Sequence, residues 1–593
     1  MAGLRVQRLL LPVQTHWRAC VYRSSIASNP TLAETDTDNS LSNLRNPVKP
    51  YSEIPLPVKP SSEIPLPVKP YSAIPVPVKP YYEMPAPVKL HNEIPVVPVK
   101  PYHEVPEQVK PFSEIPGPKG LYDIPYLGMI FHFKPFTNYG QLEMSDVFDS
   151  LHRKYGDILK LRMGAEHAII ISHPDYTEQI FRLPYKKHTR LEPPIQEMFY
   201  RRNKVMAKGL GILNGPEWAN LRKPVQDNLL RPKTVANYMP LIDGVANDFI
   251  KNIVGNTEIT DLYYEMMLYT AESVGMVTLN KRFGCLNGTS EIEFYSLFDR
   301  IFTIYHEAYF MPIQTFRYFR TKQYKEFESN LLIIYDIVQK TMHEQMMKLK
   351  KIKDAGKLDE HLEMEPHFLS TTLCDDRMTT EQIQSVIIDM FTGAIDSTAN
   401  GITLALCDLA LHPEKQATLF EEVSRVVGDS SHITSEQLNR MSYLKACMKE
   451  SQRKIYPVFL GGVRFMEDDV TIGGYTFPKG TKVLINNEAM SRDERFFPRA
   501  NDYLPERWMR DNNSELAKES KSHPFVVRPF GVGARMCPGQ RIAEMLMLIC
   551  IAKILQQFEV SLPPDVTEIK WSRRLFATPI DKVKLCLKHR QSK

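Results

Sequence analysis

A single cysteine in the C-terminal part of the chain lies in a segment suited to metal chemistry. The segment Phe530–Gly539 places Cys537 between glycines, two residues after an arginine and directly before a predicted helix over Gln540–Leu555. A thiol at a helix N-terminus feels the positive end of the backbone dipole, which lowers its pKa and favours the thiolate that binds metals. Gly533 and Gly539 allow a tight turn and a close approach of the backbone to a flat ligand. The sequence predicts a metal-binding thiolate at Cys537; the alternative is a buried structural cysteine.

A second group of residues suited to chemistry lies in the middle of a long predicted helix over Glu381–Leu411. The sequence at positions 393–398 is Gly-Ala-Ile-Asp-Ser-Thr. The two small residues let a flat ligand or dioxygen approach the helix, and Asp396 precedes the hydroxyls of Ser397 and Thr398. An acid beside hydroxyls can deliver protons by general acid–base chemistry. The alternative is a polar kink in a buried helix.

This long helix must hold the acid and the hydroxyls in place, and its ends are marked in the sequence. Thr379 and Gln382 have the spacing of a capping box at the start, and Pro413 follows the predicted end. A helix of this length crosses a whole domain.

Charged residues recur at helical spacing on a predicted helix that ends before Pro457. Glu450 and Arg453 lie at i, i+3 and share a face, and Lys445 and Lys449 lie at i, i+4. Taken alone, these pairs indicate a surface ion pair and a solvated basic face.

The composition is that of a large enzyme. Hydrophobic residues make up 43% of the 593 residues and charged residues 24%, which suffices for an extensive core. The net charge of +5 is too small to indicate nucleic-acid binding. The eight cysteines form no C-x-x-C pair, which disfavours a disulfide framework or a zinc site and favours a reducing compartment.

The pattern F-x-x-G-x-R-x-C-x-G around Cys537 resembles the haem-binding loop of cytochrome P-450 enzymes. The resemblance covers about residues 112–593. It implies a mainly α-helical, triangular-prism fold with small β-sheets near the N-terminus and after the helix that carries Glu450. It also implies haem as cofactor, held by Cys537 as the axial iron ligand, between the long helix and the helix after the loop. The other matching positions of the loop are Phe530, Gly533, Arg535 and Gly539.

The segment 393–398 resembles the oxygen-activating motif of the same family, with two departures. Ala394 stands where glycine is usual, and Ser397 stands where threonine is usual. Serine keeps the hydroxyl, but its side chain is less restricted to one rotamer than that of threonine. The coupling of oxygen reduction to substrate oxidation therefore depends on whether the Thr398 hydroxyl also delivers protons. The resemblance implies that Asp396 and one of these hydroxyls deliver protons.

The remaining matches concern support and cofactor binding. Glu450 and Arg453 match an E-x-x-R pair that contacts a later arginine, here Arg507, and we expect a buried network that braces the loop of Cys537. Trp218 and Arg222 are spaced to direct an indole N–H and a guanidinium at one anion. In the family they bind a haem propionate, together with the arginines that correspond to Arg535 and, as a weaker candidate, Arg464.

The resemblance also implies a reaction and an electron donor. A thiolate on haem iron favours cleavage of the O–O bond, and one oxygen atom enters a C–H bond of the substrate. Mitochondrial members present lysines at the positions of Lys445 and Lys449 to an acidic iron–sulfur ferredoxin, and complementary charge suits such a transient complex.

The N-terminal region predicts the cellular location. Residues 1–33 contain no acid, and they carry four arginines and several serines, as in a mitochondrial transit peptide; an ordinary basic tail is the alternative. Residues 34–46 are a linker. No apolar run near the N-terminus reaches the length of a spanning helix, which favours the mitochondrial branch of the family over members anchored in the endoplasmic reticulum.

Residues 47–116 form a proline-rich tandem array before the predicted catalytic domain at 117–593. Ten-residue units with the consensus P-V-K-P-Y-S-E-I-P begin at Pro47 and recur up to a last copy near Gln108. Proline at this density favours extended polyproline structure that builds no core. We interpret the array as a duplicated hinge that acts as a semi-rigid spacer; the alternative is a ligand for an aromatic-groove domain, since P-V-K-P fits P-x-x-P.

The sequence leaves the substrate open. The apolar stretch Ala308–Ile313, expected between helices and followed by Arg317, Arg320 and Lys322, suits shallow insertion into the inner membrane; a core-packed loop is the alternative. Family analogy suggests a lipophilic, steroid-like substrate. A monooxygenase that oxidises xenobiotics, a haem-thiolate isomerase or dehydratase that needs no external electrons, and a haem-binding sensor or scaffold are the other possibilities.

Overall fold

The computed structural model describes most of the chain from residue 109 onward. The predicted transit peptide (1–33), the linker (34–46) and all but the last copy of the proline array lie outside the described residues. The described ranges are 109–140, 144–184, 188–190, 192–204, 206–290, 292–311, 313–364, 367–458, 462–509, 523–573 and 575–590.

Helices dominate the described residues, as predicted, and they are numbered here in chain order. They are α1 (Met144–Tyr155), α2 (Pro174–Arg182), α3 (Pro194–Arg202), α4 (Gly215–Leu229), α5 (Pro232–Ala236), α6 (Met239–Ile253), α7 (Leu262–Leu279), α8 (Phe294–Phe310), α9 (Lys322–Asp354), α10 (Leu358–Met364), α11 (Phe368–Leu373), α12 (Thr380–Leu411), α13 (Pro413–Val427), α14 (Ser435–Arg440), α15 (Ser442–Lys454), α16 (Asn487–Ser491) and α17 (Gln540–Gln557).

Short strands form small sheets, also as predicted. The strands are β1 (Ile158–Met163), β2 (Glu166–Ile171), β3 (His188–Arg190), β4 (Glu258–Ile259), β5 (Val463–Met466), β6 (Val470–Ile472), β7 (Tyr475–Phe477), β8 (Lys482–Ile485), β9 (Phe558–Ser561), β10 (Trp571–Arg573), β11 (Ala577–Pro579) and β12 (Leu585–His589). The largest sheet has the order β1-β2-β8-β5-β3, the next has the order β4-β12-β9, and β6-β7 and β10-β11 are hairpins. Strands near the N-terminus and strands after α15 therefore share one sheet, joined by the parallel pair β2 and β8.

The long helix α12 is confirmed, including its capping box. The Thr379 hydroxyl accepts from the Gln382 N–H at 3.2 Å, and the Gln382 side chain accepts from the Thr379 N–H at 2.9 Å. Because both caps satisfy N–H groups that the helix leaves unpaired, α12 begins at Thr380. It packs against α7, α15 and α17. The approach to α17 is close, since a Cβ added at Gly401 would lie 2.5 Å from Met547 Sδ.

Candidate active site

A cavity of about 390 Å³ lies between α12 and α17 and brings most of the predicted site residues together. Its lining includes Trp218, Arg222, Ser397, Thr398, Arg464, Phe530, Arg535, Cys537 and Gly539. Much of the remaining lining is apolar. Gly533, Asp396, and the residues of the predicted brace and ferredoxin site lie outside the cavity lining.

The loop before α17 folds back on itself at the predicted cysteine. The Cys537 N–H donates to the Phe530 carbonyl at 2.8 Å. Gly531 and Gly533 have φ of +69° and +76°, a region that favours glycine, so the tight turn predicted at Gly533 is confirmed. Gly539 has an ordinary φ of −88°, and a Cβ there would lie 3.9 Å from Cys537 Sγ, an ordinary contact. The described geometry does not require glycine at position 539.

The electrostatic environment of Cys537 differs from the prediction. Burial raises the pKa of the Cys537 thiol, and this effect exceeds the opposing influence of the Gly539 N–H and of two nearby arginines, Arg222 and Arg190. The predicted lowering of the thiol pKa is therefore wrong for the protein groups alone, because desolvation of the thiol outweighs the groups that favour the thiolate. A coordinated metal cation deprotonates a thiol outright.

Arg535 is fixed at the cavity wall by three contacts. Its guanidinium donates to the Leu213 carbonyl at 2.8 Å and to Asn214 Oδ1 at 2.7 Å. Its Cζ atom lies 3.9 Å from the centroid of the Trp218 ring, a cation–π arrangement that holds the guanidinium plane. Trp218 and Arg535 are thus adjacent, as predicted.

Two further predicted arginines reach the same cavity with spare hydrogen-bonding capacity. Arg222 donates to the Met536 carbonyl at 2.7 Å. The Nε atoms of Arg222 and Arg464 are buried without a hydrogen-bond partner. Burial, and then repulsion by neighbouring arginines, lowers the pKa of Arg464 and of Arg535 to about 9. Burial likewise lowers the pKa of Arg222 to about 10. Buried like charges of this kind fit an anionic ligand.

Arg190 is a fourth arginine of the cavity, and sequence reasoning missed it. It lies on β3 directly opposite Arg464 on β5, so the pairing brings the two residues together. Its N–H donates to Asn214 Oδ1 at 2.9 Å, and its guanidinium donates to the Arg535 carbonyl at 3.3 Å. The pairing joins strands far apart in the chain, and no local signal in the sequence could have indicated it.

The acid of the predicted proton path, Asp396, lies beside the cavity lining and bonds to neighbouring side chains. Asp396 is buried, and its carboxylate accepts hydrogen bonds from the hydroxyl of Tyr263 on α7 and from the amide of Asn400, the latter at 3.0 Å. The Tyr263 contact ties α12 to α7, whereas the Asn400 contact lies within α12. Ser397 and Thr398 line the cavity and Asp396 does not; its part in proton delivery stays a prediction.

The two hydroxyls of the motif both line the cavity. Ser397 donates to the Gly393 carbonyl at 2.6 Å, within the helix. Thr398 Oγ1 is buried without a hydrogen-bond partner, so it retains capacity to bond to a ligand or water in the cavity.

Asp389 supplies a carboxylate to the cavity wall that the sequence analysis missed. It lies one helical turn before Gly393, and its Oδ2 accepts from the Gly211 N–H at 2.9 Å. A Cβ added at Gly209 would lie 2.2 Å from the same carboxylate. Burial raises the pKa of Asp389 to about 6, against the opposing effects of backbone N–H groups and Arg190. Asp389 thus fastens the loop before α4 to α12.

Glu450, Arg453 and Arg507 form the predicted buried network; its support of the Cys537 loop stays a prediction. The Glu450 carboxylate accepts from Arg453 at 2.9 and 3.0 Å and from Arg507 Nε at 3.0 Å. The Trp508 indole, which was missed, donates to it at 2.8 Å. The outward hydrogen bonds of both arginines end on carbonyls between positions 491 and 502. Among the described residues, the network thus braces the segment 491–508.

Lys445 and Lys449 lie on α15, outside the cavity. Lys445 is partly buried and donates to the Asn439 carbonyl at 3.1 Å, whereas Lys449 is exposed. Burial lowers the pKa of Lys445, and the charges of Glu422 and Glu544 oppose this shift. Glu544 belongs to α17 and also acts on the pKa of the thiol that precedes this helix. Lys445 is therefore within electrostatic reach of α17, the helix that follows the thiol.

Comparison with known proteins identifies the family. The family model described as Cytochrome P450 matches residues 118–587. The chain belongs to the cytochrome P450 family. The predicted family, the mainly α-helical fold with small sheets and the haem-thiolate cofactor are confirmed. The protein is a cytochrome P450 monooxygenase.

Several relatives of this cytochrome P450 are named mitochondrial. The chain is 30% identical over 491 residues to "Cytochrome P450 10" of Lymnaea stagnalis, covering 80% of this chain and 85% of the relative. It is 27% identical to "1,25-dihydroxyvitamin D(3) 24-hydroxylase, mitochondrial" of Rattus norvegicus, covering 74% and 82%. It is 26% identical to "Sterol 26-hydroxylase, mitochondrial" of Mus musculus, covering 79% and 89%. The cytochrome P450 is therefore of the mitochondrial type.

Proposed function

We propose that the protein is a mitochondrial monooxygenase that uses ferredoxin electrons to insert one oxygen atom from O2 into a C–H bond of a lipophilic substrate. The observation that carries the proposal is the joint placement of one thiol, four arginines and two hydroxyls around a largely apolar cavity. Haem, when bound through a cysteine thiolate, supplies the oxygen-activating chemistry.

The cavity residues fit haem by the chemistry of their donors. Cys537 offers the thiolate for the iron. The orphaned Nε atoms of Arg222 and Arg464, with Arg535 and Trp218 beside them, suit the two carboxylates of the macrocycle. Arg190 adds a fourth positive charge to the same wall. These residues would bind and orient the cofactor.

Thr398 and Ser397 are the groups proposed to hold protons at the cavity. Thr398 Oγ1 has no partner in the described structure and can donate to, and accept from, a bound water. Ser397 Oγ donates to a helix carbonyl and can still accept a hydrogen bond. Asp396 acts through Tyr263 and Asn400 by positioning this part of α12 against α7; in this geometry it is a positioning residue.

The proposed substrate is lipophilic and steroid-like. Apolar side chains of the cavity wall come from several elements, among them Leu210, Val386, Met390 and Phe576, so they suit an apolar molecule. Two relatives are named for sterol and vitamin D substrates, and xenobiotic oxidation is the alternative.

We place the protein at the matrix side of the inner mitochondrial membrane, in peripheral contact. The predicted insertion segment begins inside a helix, because α8 runs to Phe310 and buries Ala308. The end of the predicted segment and the residues just after it nevertheless expose apolar side chains. The exposed fraction is 58% for Ile313, 78% for Tyr318 and 71% for Phe319. Aromatic groups beside cations suit shallow insertion. Within the described part of the chain, every helix is too short or too polar to cross a membrane.

Charge reversal on α15 tests the proposed ferredoxin site. Replacing Lys445→Glu and Lys449→Glu together is expected to lower the rate of reduction by ferredoxin about tenfold or more and to flatten its salt dependence, because complementary charge steers association. Stopped-flow measurement of haem reduction at several salt concentrations provides the readout.

The matched control reverses two exposed lysines on α9, Lys348→Glu and Lys351→Glu, and reduction by ferredoxin should be unchanged. Turnover of the α15 variant with an artificial oxidant should equal that of the parent. Unchanged ferredoxin reduction in the α15 variant would show that the electron donor docks elsewhere.

The function itself is tested by reconstitution. The purified haem protein is incubated with a mitochondrial ferredoxin, its reductase, NADPH and a lipid extract of the source tissue, and products are analysed by mass spectrometry. We expect a product heavier by one oxygen atom that depends on NADPH. A product of unchanged mass formed without electrons would instead establish an isomerase, and no product from any fraction, with haem intact, would contradict the monooxygenase.

A further inference from the structure

The last copy of the proline-rich decapeptide is seated on the catalytic domain. The main chain of Lys110 pairs with the outer edge of β7: its N–H donates to the Gly474 carbonyl, and its carbonyl accepts from the Thr476 N–H, both at 2.9 Å. We call the surface beneath Val109–Pro116 the repeat site. It consists of the edge of β7, Lys160 of β1 and the apolar cluster between them.

Lys160 binds the rest of this copy by hydrogen bonds to main-chain carbonyls of the copy. The Lys160 N–H donates to the Pro116 carbonyl at 2.7 Å. Its ammonium donates to the carbonyls of Phe112 and Ser113, both at 3.2 Å. Main-chain contacts of this kind accept any sequence that adopts the same path, as in strand addition at a sheet edge.

Two side chains of the copy give the repeat site its selectivity. Ile115 is only 3% exposed, and it packs in a cluster with Ile158, Ile472 and Phe477. Phe112 packs against the same cluster, with the Lys160 ammonium 5.2 Å from its ring centroid. The repeat site therefore recognises an aromatic residue followed, three positions later, by an aliphatic one.

The copies upstream carry the same features. The first copy, Val48–Pro55, has the sequence VKPYSEIP, and the seated copy has VKPFSEIP. They differ only in a ring hydroxyl, at Tyr51 and Phe112. The aliphatic position is filled in every copy, and the aromatic position is tyrosine in the upstream copies except at Ser61 and His91.

We propose that the repeat site is a docking site for the decapeptide unit and that Val48–Pro55 of the same chain is an alternative occupant to Val109–Pro116. The same chain is favoured over a second molecule because a tethered ligand has a far higher effective concentration than protein free in dilute solution. When the first copy is docked, the intervening residues form a closed loop. The entropy of loop closure rises only slowly with length, so even the farthest copy remains a competitor.

Gly117 favours the last copy and explains why it occupies the site. A Cβ at this position would lie 2.0 Å from the Lys160 carbonyl oxygen, so the path into the domain requires glycine. The residue that follows Val48–Pro55 is Leu56, and an upstream copy must therefore leave the surface after its final proline. The last copy therefore binds the repeat site in preference to upstream copies, because it alone makes the close Gly117–Lys160 contact and is joined to the domain by a short connection.

Photo-crosslinking of the full haem-loaded chain tests the proposal. p-Benzoylphenylalanine replaces Tyr475, whose ring lies 5.8 Å from the Lys110 ammonium, and adducts are mapped by mass spectrometry. In the parent we expect adducts mainly on Val109–Pro116. With Phe112→Ala and Ile115→Ser, adducts on Val48–Pro55 should increase at least several-fold. Adding Tyr51→Ala and Ile54→Ser should remove that increase.

A second measurement does not depend on the folding of these variants. Excess synthetic peptide with the sequence of residues 48–55 should reduce the adduct on Val109–Pro116 in the parent, whereas the peptide with Tyr51→Ala and Ile54→Ser should not. Equal effects of the two peptides, or no effect of either, would overturn the docking site. In mixtures of isotopically distinct chains, adducts that join two molecules would overturn the same-chain assignment.

Discussion

Replacing Cys537 with serine is expected to abolish both the long-wavelength absorption of the reduced carbon-monoxide complex and all substrate oxygenation. Cys537 is the thiol of the cavity, and the loop hydrogen bond from its own N–H to Phe530 is independent of the side chain. The Cys537→Ser variant should therefore fold with the same loop and lose only the sulfur ligand. Difference spectroscopy and product analysis by mass spectrometry measure the two effects.

The matched control is Cys374→Ser, the same atomic change at a partly buried free thiol outside the cavity lining. This variant should retain the carbon-monoxide spectrum and turnover of the parent. If Cys537→Ser kept the long-wavelength band, another cysteine would be the iron ligand and the proposed site would be wrong.

The substitution Glu450→Gln is expected to have the largest effect on stability. The Glu450 carboxylate is the counter-charge of Arg453 and Arg507, and all three side chains are fully buried. Glutamine keeps the shape but leaves two guanidinium groups buried without a carboxylate. Breaking a buried ion pair in this way costs about 3–5 kcal/mol. We expect the apparent Tm to fall by about 5 °C or more, with weaker retention of haem.

The control is Glu414→Gln, which removes the same charge from an exposed position on α13 and should change the free energy of unfolding by no more than about 0.5 kcal/mol. Thermal unfolding followed by circular dichroism and by haem absorbance compares the two variants. Equal Tm values for Glu450→Gln and the parent would mean that the arginines find other acceptors, and the network would not be a brace.

The features that could be predicted from the sequence are those carried by local spacing. The capping box at Thr379 set the start of α12 to within one residue, and the positive φ of Gly533 follows from its place in the turn before Cys537. Trp218 and Arg222 reach the cavity because one helical turn separates them. In each case the interacting residues are close in the chain, so periodicity and turn chemistry suffice.

The features that were missed depend on contacts between distant segments. Arg190 meets Arg464 through a strand pairing across more than 270 positions, and Tyr263 orients Asp396 from another helix. The pKa of Cys537 is predicted from the helix dipole and the unpaired N–H groups at the helix start, whereas burial by the tertiary structure has the larger effect. A dipole can be read from sequence, but desolvation requires the packed fold.

The arginine cluster links cofactor supply to protein stability. Arg190, Arg222, Arg464 and Arg535 line one cavity. Burial lowers the pKa of all four, and neighbouring arginines add to this for Arg222, Arg464 and Arg535, so a dianion that pairs with them would stabilise the compact state. By mass action, a ligand that binds only the folded chain stabilises it in proportion to the logarithm of its free concentration. We therefore expect the haem-free chain to unfold at a lower temperature than the haem-loaded chain, because the bound dianion compensates the clustered positive charges.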